Sequence, residues 1–438
     1  MKTTHLELRV ITALTAALSL LGSSHAQAAA GDLDPAFGHA GLAQTDFANT
    51  DEYGFAARIQ SDGKIVVGGP SGVYPLFHAA LIRYNSNGRL DLTFGTGGKA
   101  TAALDPGGDT VAAIAIQPDG KIVTAGSVLH DNVVLGFIAG RFNADGILDQ
   151  TFGSNGSVQT TFGDPSAEGN DVVLQADGKI IVVGFTGAGS YSALNDFAVV
   201  RYNSDGTLDS GFGVGGKVTT HFPGISNTGS IATCALLQGD GKLVVGGHYV
   251  NQSAPEEFAL ARYNPDGSLD SSFGSKGLVT TPIGADSAFC FAIGLQRDGR
   301  IVLAGYSEAG QGHDFTLACY SSNGTLDSSF GSAGIAVTSF PGGSDDIGYA
   351  LAVQRDGKLL LAGRTGAYPV FDFALARYSS TGQLDQTFGS GGTVTTDFGN
   401  DDLGYAVAVQ RDSKIIVSGG VLGRNGTFDM GLARYLGR

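Results

Sequence analysis

The sequence predicts an all-β protein: a seven-bladed β-propeller, with four antiparallel strands in each blade, built by residues 31–438. Two short strings each occur seven times, and each repeat contains four strand-like segments separated by turn residues. The segments at the two ends of the chain also complement each other. Four-stranded units that recur at one spacing are typical of propeller blades.

The first string, Gln-x-Asp-Gly-Lys, is followed by an apolar run. Asp-Gly between two apolar runs favours a tight hairpin turn. The glutamines lie 56 to 63 residues apart, which leaves room for four short strands in each repeat. They are Gln60, Gln117, Gln175, Gln238, Gln296, Gln354 and Gln410.

The second string is Leu-Asp-x-x-Phe-Gly. We expect its Asp to accept hydrogen bonds from nearby backbone N–H groups and its Phe to pack between blades. An Arg of the third segment recurs in six repeats and is expected to pair with that Asp or with carbonyls of the next blade. Because structural residues recur in every blade whereas a single site is asymmetric, we predict a structural role for these residues. The aspartates are Asp34, Asp91, Asp149, Asp209, Asp270, Asp327 and Asp385.

The sixth repeat shows the four predicted strands clearly. They cover 349–354, 358–363, 373–378 and 393–398, and no segment has helical periodicity beyond one turn. In the first of them small residues alternate with larger ones, which suits a strand crowded near the propeller axis.

The chain ends predict how the ring closes. The sequence begins its repeats with a second string and a fourth-strand segment, 42–47, and it stops after a third strand, 430–435. We therefore expect the N-terminal strand to complete the last blade, so that neither edge stays unpaired.

These repeats resemble the bacterial delta-60 repeat family. The resemblance rests on Phe-Ala-Leu-Ala-Arg-Tyr (373–378), Leu-Asp-Ser-Ser-Phe-Gly (326–331) and Gln-Arg-Asp-Gly-Lys (354–358), and it extends over residues 31–438. It implies a propeller-like architecture and export, and it implies no particular activity. Two departures stand out: Cys319 replaces the repeated Arg, and Ser413 replaces a turn Gly.

Residues 1–30 are predicted to be a signal peptide. Lys2 and Arg9 flank the start, an apolar run covers 10–21, and the small residues Ala28 and Ala30 suit cleavage. The protein is therefore expected to be exported to the periplasm or the extracellular space, without membrane insertion. Three cysteines in the whole chain predict no disulfide framework.

The net charge of −15 indicates which kinds of molecule the protein can bind. Such a surface repels nucleic-acid phosphates and anionic membranes, and it favours cations or basic partners. The hydrophobic share of 42% suffices for one large core, and we expect a monomer.

Binding is expected on the face that carries the connections of variable length and sequence, since variable loops on a rigid scaffold are common binding sites. Acidic residues gather there, before the first and third strands, and they predict binding of a cation, with calcium as one possibility, or of a basic partner. The alternative is that these acids solvate loops, cap turns or pair with Arg. The set before the first strand is Glu52, Asp109, Glu168, Asp286, Asp346 and Asp402, and the set before the third strand is Asp196, Glu257, Asp314, Asp372 and Asp429.

Three further features have two interpretations each. Asp171 stands near the axis, where a hydrogen-bonded buried carboxylate is favoured over a metal ligand. The Asn-x-Asp-Gly-x-Leu-Asp runs at 203–209 and 264–270 resemble a calcium loop, but they lack its terminal Glu, so plain turns are favoured. Four histidines without metal-ligand spacing are predicted to be surface polar residues: His78, His130, His248 and His313.

Three functions are open at this point. The first is an exported binding scaffold whose acidic variable face holds a cation, a glycan or a basic protein segment. The second is a metal-dependent hydrolase, lactonase or lyase with its site at the mouth of the axial channel, and the third is a structural or adhesion component. The first strands are mostly Ala, Val, Ile and Leu, which disfavours an enzyme.

Overall fold

Short apolar runs between glycine-containing turns form 29 β-strands in the described part of the chain, and these strands build seven antiparallel sheets. The structure is a computed structural model that describes residues 28–438 except 48, 75, 131–132, 189–193, 224–227, 252–253, 311 and 343–344. The predicted signal peptide lies almost wholly outside the described residues and stays a prediction. Within the described residues no helix is long and apolar enough to span a bilayer.

The strands of the first three blades follow β1, which belongs to the last blade. In chain order they are β1 (Leu42–Thr45); in blade 1, β2 (Asp51–Glu52), β3 (Ala56–Ile59), β4 (Ile65–Val73), β5 (Leu76–Tyr84) and β6 (Lys99–Ala102); in blade 2, β7 (Ala113–Ile116), β8 (Ile122–His130), β9 (Val133–Phe142) and β10 (Ser157–Thr160); and in blade 3, β11 (Ser166–Leu174), β12 (Ile180–Gly187), β13 (Asp196–Tyr202) and β14 (Lys217–Thr220).

The other four blades continue in the same pattern. They are, in blade 4, β15 (Thr228–Leu237), β16 (Leu243–Asn251), β17 (Ala254–Tyr263) and β18 (Leu278–Thr281); in blade 5, β19 (Ala288–Leu295), β20 (Ile301–Ala309), β21 (Gly312–Tyr320) and β22 (Ile335–Thr338); in blade 6, β23 (Ile347–Val353), β24 (Leu359–Ala367), β25 (Val370–Tyr378) and β26 (Thr393–Thr396); and in blade 7, β27 (Asp402–Val409), β28 (Ile415–Leu422) and β29 (Phe428–Tyr435).

The strand registers define two faces of the ring. In blade 4, Thr228 pairs with Asn251 at one end, and Leu237 pairs with Leu243 at the Asp-Gly turn. The start of each first strand and the end of each second strand therefore share one face. We call the face with the 4–1 and 2–3 connections the loop face, and the face with the Asp-Gly turns the turn face.

The predicted closure is confirmed. Strand β1 pairs antiparallel with β29, with Leu42 opposite Ala433 and Thr45 opposite Met430. Strand β3 of blade 1 also contacts β27 of blade 7, so the sheets form a closed ring. Both the seven-bladed fold and its four strands per blade agree with the prediction.

In six blades a buried arginine pairs with an aspartate of its own blade and donates to a backbone carbonyl of the next blade. In blade 1, Arg83 Nε lies 2.8 Å from Asp91 Oδ2, while Arg83 Nη1 donates to the carbonyl of Ala144 in blade 2. Burial alone would raise the pKa of Asp91, but hydrogen bonds from Thr93 and Lys64 hold it well below its usual range. We call this arrangement the clasp. Its counterparts are Arg141–Asp149, Arg201–Asp209, Arg262–Asp270, Arg377–Asp385 and Arg434–Asp34.

Blade 5 builds its clasp from a different residue. Cys319 occupies the place of the arginine, and Arg300 stands where the other blades have lysine. Arg300 Nη1 lies 3.2 Å from Asp327, and its Nη2 donates to the carbonyl of Ser380 in blade 6. One guanidinium thus replaces both cations, because arginine has several donors at fixed angles.

At six of the blade interfaces, a tyrosine hydroxyl forms a hydrogen bond to the neighbouring blade. Each tyrosine ends a third strand and bonds a threonine of the preceding blade, as in Tyr84 with Thr45 at 2.7 Å and Tyr263 with Thr220 at 2.7 Å. Blade 2 has Phe142 instead, packed in one core cluster with Ala102. At this interface Phe142 replaces the tyrosine and Ala102 replaces the threonine. Because both hydroxyls are absent, neither is buried without a hydrogen-bond partner.

We predict that Arg300→Ala lowers the free energy of unfolding by roughly 2–3 kcal/mol, because it removes both the partner of Asp327 and the contact to Ser380. Lys358→Ala, the matched control, leaves Arg377 on Asp385 and should cost about 1 kcal/mol or less. Denaturant unfolding measures both values. Equal losses in the two variants would contradict the assigned role of Arg300.

We also predict that Phe142→Tyr destabilises the protein by about 1–3 kcal/mol, because the new hydroxyl meets Ala102. Adding Ala102→Thr should recover most of the loss by restoring the hydrogen bond present at the other interfaces. A double-mutant cycle on thermal or denaturant unfolding gives the coupling. Additive effects would show that the pairing is not the reason for the joint replacement.

Candidate functional site

In each first strand, one side chain departs from the regular alternation of side chains between the two faces of the sheet. In blade 3 the pairing of β11 with β12 skips Asn170, between Gly169 and Asp171, as a β-bulge. Blades 4 to 7 have bulges at the same place, and the first strands of blades 1 and 2 are interrupted there. A bulge re-aims its side chain. These residues, which we call the bulge ring, are Phe55, Ala112, Asn170, Thr233, Phe291, Tyr349 and Tyr405.

A glycine of the second strand makes room for each bulge. At Gly184, an added Cβ would lie 1.8 Å from the carbonyl oxygen of Glu168, and the corresponding distances in the seven blades are 1.7–2.0 Å. Only glycine permits so close a backbone approach. The seven glycines are Gly69, Gly126, Gly184, Gly247, Gly305, Gly363 and Gly419.

The bulge ring separates two cavities on the axis. The cavity towards the loop face has a volume of about 300 Å³, and its lining is completed by Glu168, Phe185, Ile231 and His248. The cavity towards the turn face has about 240 Å³ and includes Arg58 and Asp171. We call the first the upper cavity and the second the lower cavity.

The bulge ring is asymmetric although the scaffold is not. Its members in the adjacent blades 5, 6, 7 and 1 are aromatic, whereas Ala112, Asn170 and Thr233 in blades 2 to 4 are small or polar. The clasp shows that structural residues recur in every blade. Asymmetry at one position of the repeat therefore marks a site.

The aromatic members form one continuous surface. Ring centroids lie 4.8 Å apart for Phe55 and Tyr405, 5.2 Å for Tyr405 and Tyr349, and 5.4 Å for Tyr349 and Phe291. All of its rings are partly exposed, which is unusual for so many aromatic residues in contact. This surface, the aromatic arc, comprises Phe428, Tyr53, Phe55, Tyr405, Tyr349, Phe291, Phe289 and Tyr306.

His248 supplies a polar group at the edge of the arc. Its ring centroid lies 5.1 Å from that of Phe289, and the side chain is only 3% exposed. Burial lowers its pKa to about 4, partly opposed by the backbone of Cys290, so the imidazole is neutral at pH 7. Among the described residues neither ring nitrogen makes a hydrogen bond of normal geometry. The prediction that His248 is a surface residue is wrong, because it lies in β16 against the neighbouring blade.

Four of the predicted acidic residues are buried in the 4–1 loops and line neither axial cavity. Asp109 accepts from the backbone N–H of Leu104 at 2.9 Å, and Asp346 accepts from that of Phe340 at 2.7 Å. Glu52 and Asp402 receive the same kind of bond from Phe47 and Phe398. Burial raises the pKa of Glu52 and of Asp402 to about 7, and it raises those of Asp109 and Asp346. These carboxylates fold the loops back onto the sheets.

The other three predicted site residues have different surroundings. Glu168 lines the upper cavity, and Asp286 is exposed on a loop outside both cavities. Asp171 lines the lower cavity, where it accepts from the N–H of Val172 and, in the next blade, of Ala235, each at 2.8 Å. Burial raises its pKa, opposed by the charge of Arg58. Asp171 thus makes hydrogen bonds, as one of its two interpretations expected, while its side chain is partly exposed in the cavity.

The remaining loop-face histidines pair with acids. His78 lies 3.2 Å from Asp109, His130 2.5 Å from Asp105, and His313 2.7 Å from Asp345. The acids before the third strands divide in the same way. Asp196 pairs with His221 and Asp314 accepts from Ser339, Glu257 is half-buried, and Asp372 and Asp429 each lie in a cluster of three carboxylates.

The aromatic arc is the feature that the sequence did not reveal. Strict alternation places Tyr349 with Leu351 on one face of the first strand, but the bulge moves Tyr349 towards the axis. Two signals in the sequence could have identified the arc. A glycine lies nine residues after every repeat Gln, and the residue five positions before every repeat Gln varies in type from blade to blade. Because of these bulges, polar side chains of different types do reach the axial channel.

Solved structures similar to this chain share its propeller fold. The polysaccharide lyase Uly1 is 13% identical with a TM-score of 0.53, over 88% of this chain and 90% of that chain. An ulvan lyase of family PL25 is 13% identical with a TM-score of 0.52, over 90% and 95%. A PL25 ulvan lyase bound to -[GlcA(1-4)Rha3S]- is 12% identical with a TM-score of 0.50, over 90% and 95%. At these identities the likeness shows the fold alone.

No curated protein matches the sequence significantly. Six of its repeats match the family described as a domain of unknown function (DUF5122) beta-propeller, over residues 60–94, 117–152, 175–212, 238–273, 296–330 and 354–388. The chain is a β-propeller in which six repeats are similar to the repeats of this family.

Proposed function

We propose that this protein is an exported binding protein that holds a glycan against the aromatic arc, at the loop-face mouth of the axial channel. The observation that carries the proposal is the confinement of the aromatic bulge residues to four adjacent blades. A structural role would place aromatic residues in all seven blades.

The chemistry of the upper cavity suits a sugar ring. A pyranose has an apolar C–H face that packs on aromatic rings, and its hydroxyls need hydrogen-bonding partners around the edge. The arc offers the rings, and Asn170, Thr233 and His248 line the rest of the cavity with polar groups. Its volume of about 300 Å³ lies at the lower end of small-molecule sites, so one part of a longer chain would enter.

The other ligands considered from the sequence fit this cavity less well. A basic protein segment needs exposed carboxylates, but in the upper cavity Glu168 is the only carboxylate among the described lining residues. The three similar structures described above are named as polysaccharide lyases, so this architecture accommodates a polysaccharide, although shared fold assigns no chemistry.

A specific observation favours a second candidate, cleavage of the glycan at the same mouth. His248 is neutral at pH 7 and lies beside the cavity, as a general base must. We rank this second because no charged partner orients the imidazole among the described residues.

We predict that Tyr349→Ala and Tyr405→Ala each weaken glycan binding roughly tenfold, about 1.4 kcal/mol, because each removes one stacking face. Affinity electrophoresis through a panel of neutral and anionic polysaccharides identifies the ligand, and calorimetry gives the affinities. Tyr368→Ala is the control, since Tyr368 is 86% exposed near the loop face but lies outside the arc. The proposal fails if no polysaccharide is retained, or if Tyr368→Ala weakens binding as much as the arc variants.

We further expect the retained polysaccharide to keep its length during incubation with the protein, as measured by size-exclusion chromatography and by reducing-end release. Shortening that disappears in His248→Ala but persists in Tyr368→Ala would contradict simple binding and establish the second candidate.

A further inference from the structure

Three carboxylates meet on the loop face between blades 6 and 7. Asp372 lies in β25, the third strand of blade 6, Asp397 follows its fourth strand, β26, and Asp402 begins β27, the first strand of blade 7. One carboxylate oxygen from each lies within 4.8 Å of the others. Three like charges this close repel one another unless a proton or a cation lies between them.

One oxygen of this cluster is buried without a partner. Asp402 is fully buried, and its Oδ2 accepts from the N–H of Phe398 at 2.6 Å. Among the described residues its Oδ1 has no hydrogen-bond partner. Three further carboxylates place negative charge near Asp402: Asp397, Asp372 and Asp401.

A comparison with blade 6 identifies the hydrogen-bond donor that Asp402 Oδ1 lacks. Asp346 holds the same position there, and both of its oxygens are satisfied, by the N–H of Phe340 and by Thr365 Oγ1 at 2.5 Å. Opposite Asp402 the residue is Val421, which has no donor. The donor has therefore been lost while the buried carboxylate has been kept.

Other blades neutralise this position with histidine. In blade 3, His221 stands where blade 6 has Asp397, and its Nδ1 lies 2.9 Å from Asp196. In blade 1, His78 stands where blade 6 has Asp372 and contacts Asp109. The cluster between blades 6 and 7 has acids at both histidine positions, so among the described residues neither of these positions supplies a cation.

A second cluster occupies the equivalent place between blades 7 and 1. It consists of Asp46, Glu52 and Asp429, and Asp429 Oδ1 is buried without a partner among the described residues. Lys99 contributes a positive charge near Asp429 and bonds the backbone of Asp46. Because that lysine already offsets part of the repulsion, the first cluster is the stronger candidate.

We propose that Asp372, Asp397 and Asp402 bind a calcium ion. Their donors are all carboxylate oxygens, which hard cations such as Ca²⁺ prefer, and no imidazole or thiolate favours a transition metal. Three protein ligands leave several positions to water, so the affinity is expected near the 10⁻⁴–10⁻³ M typical of extracellular modules. The ion would fix the loop from Asp397 to Asp402, and β27 follows it directly.

The test is thermal unfolding of the whole protein in EDTA and with CaCl₂ rising to about 10 mM. Calcium should raise the melting temperature by roughly 2 °C, as expected for a ligand near tenfold its dissociation constant. Asp402→Asn and Asp397→Asn should each abolish most of this rise. Asp286→Asn, an exposed loop-face acid outside the cluster, should keep it.

Two results would overturn the proposal: no calcium-dependent rise in the wild-type protein, or a rise of the same size in both cluster variants. Since Asp397 is exposed, its variant keeps the test valid even where Asp402→Asn fails to fold. Loss of the rise in Asp429→Asn but not in Asp397→Asn would move the ion to the second cluster and also refute this assignment.

Discussion

The ring depends on an arginine that lies against the aspartate of its own blade and donates to a carbonyl of the next. Removing either charge would leave the other buried, which costs far more than a surface pair. The guanidinium also stacks on the phenylalanine of the second string, as Arg83 does on Phe94 at 4.5 Å. Those phenylalanines pack on a turn glycine of the following blade, such as Gly146. One short motif therefore sets the spacing of all seven blades.

Because this scaffold repeats so closely, its exceptions fall into two kinds. In some exceptions a second residue compensates for the first: Arg300 compensates for Cys319, and Ala102 matches Phe142. These pairs preserve the interface between blades. Others have no second replacement that compensates for them. The aromatic residues of the bulge ring and the loss of a donor opposite Asp402 belong to the second kind. We attribute function to these exceptions because they occur in some blades only and no second replacement restores the repeated pattern.

The sequence predicted the blades, the closure and the Arg–Asp pairing because each depends on local turn chemistry and on repetition. It did not predict the axial site, since a bulge at Tyr349 reverses the alternation from which strand faces are inferred. It placed the acids on the correct face, but it could not show that Asp109 and Asp346 are buried by loops that fold back onto them. His248 was misassigned because its burial depends on the neighbouring blade.

The central claim is that ligand contacts the aromatic arc and not the loop tips. The chain has 14 tyrosines and no tryptophan, so NMR of ring-labelled tyrosine during titration with a retained oligosaccharide observes the arc directly. We expect resonances of Tyr53, Tyr349 and Tyr405 to shift together, while interface tyrosines such as Tyr84 stay unchanged. Shifts confined to Tyr74 and Tyr368, which are exposed near the loop tips, would contradict the account.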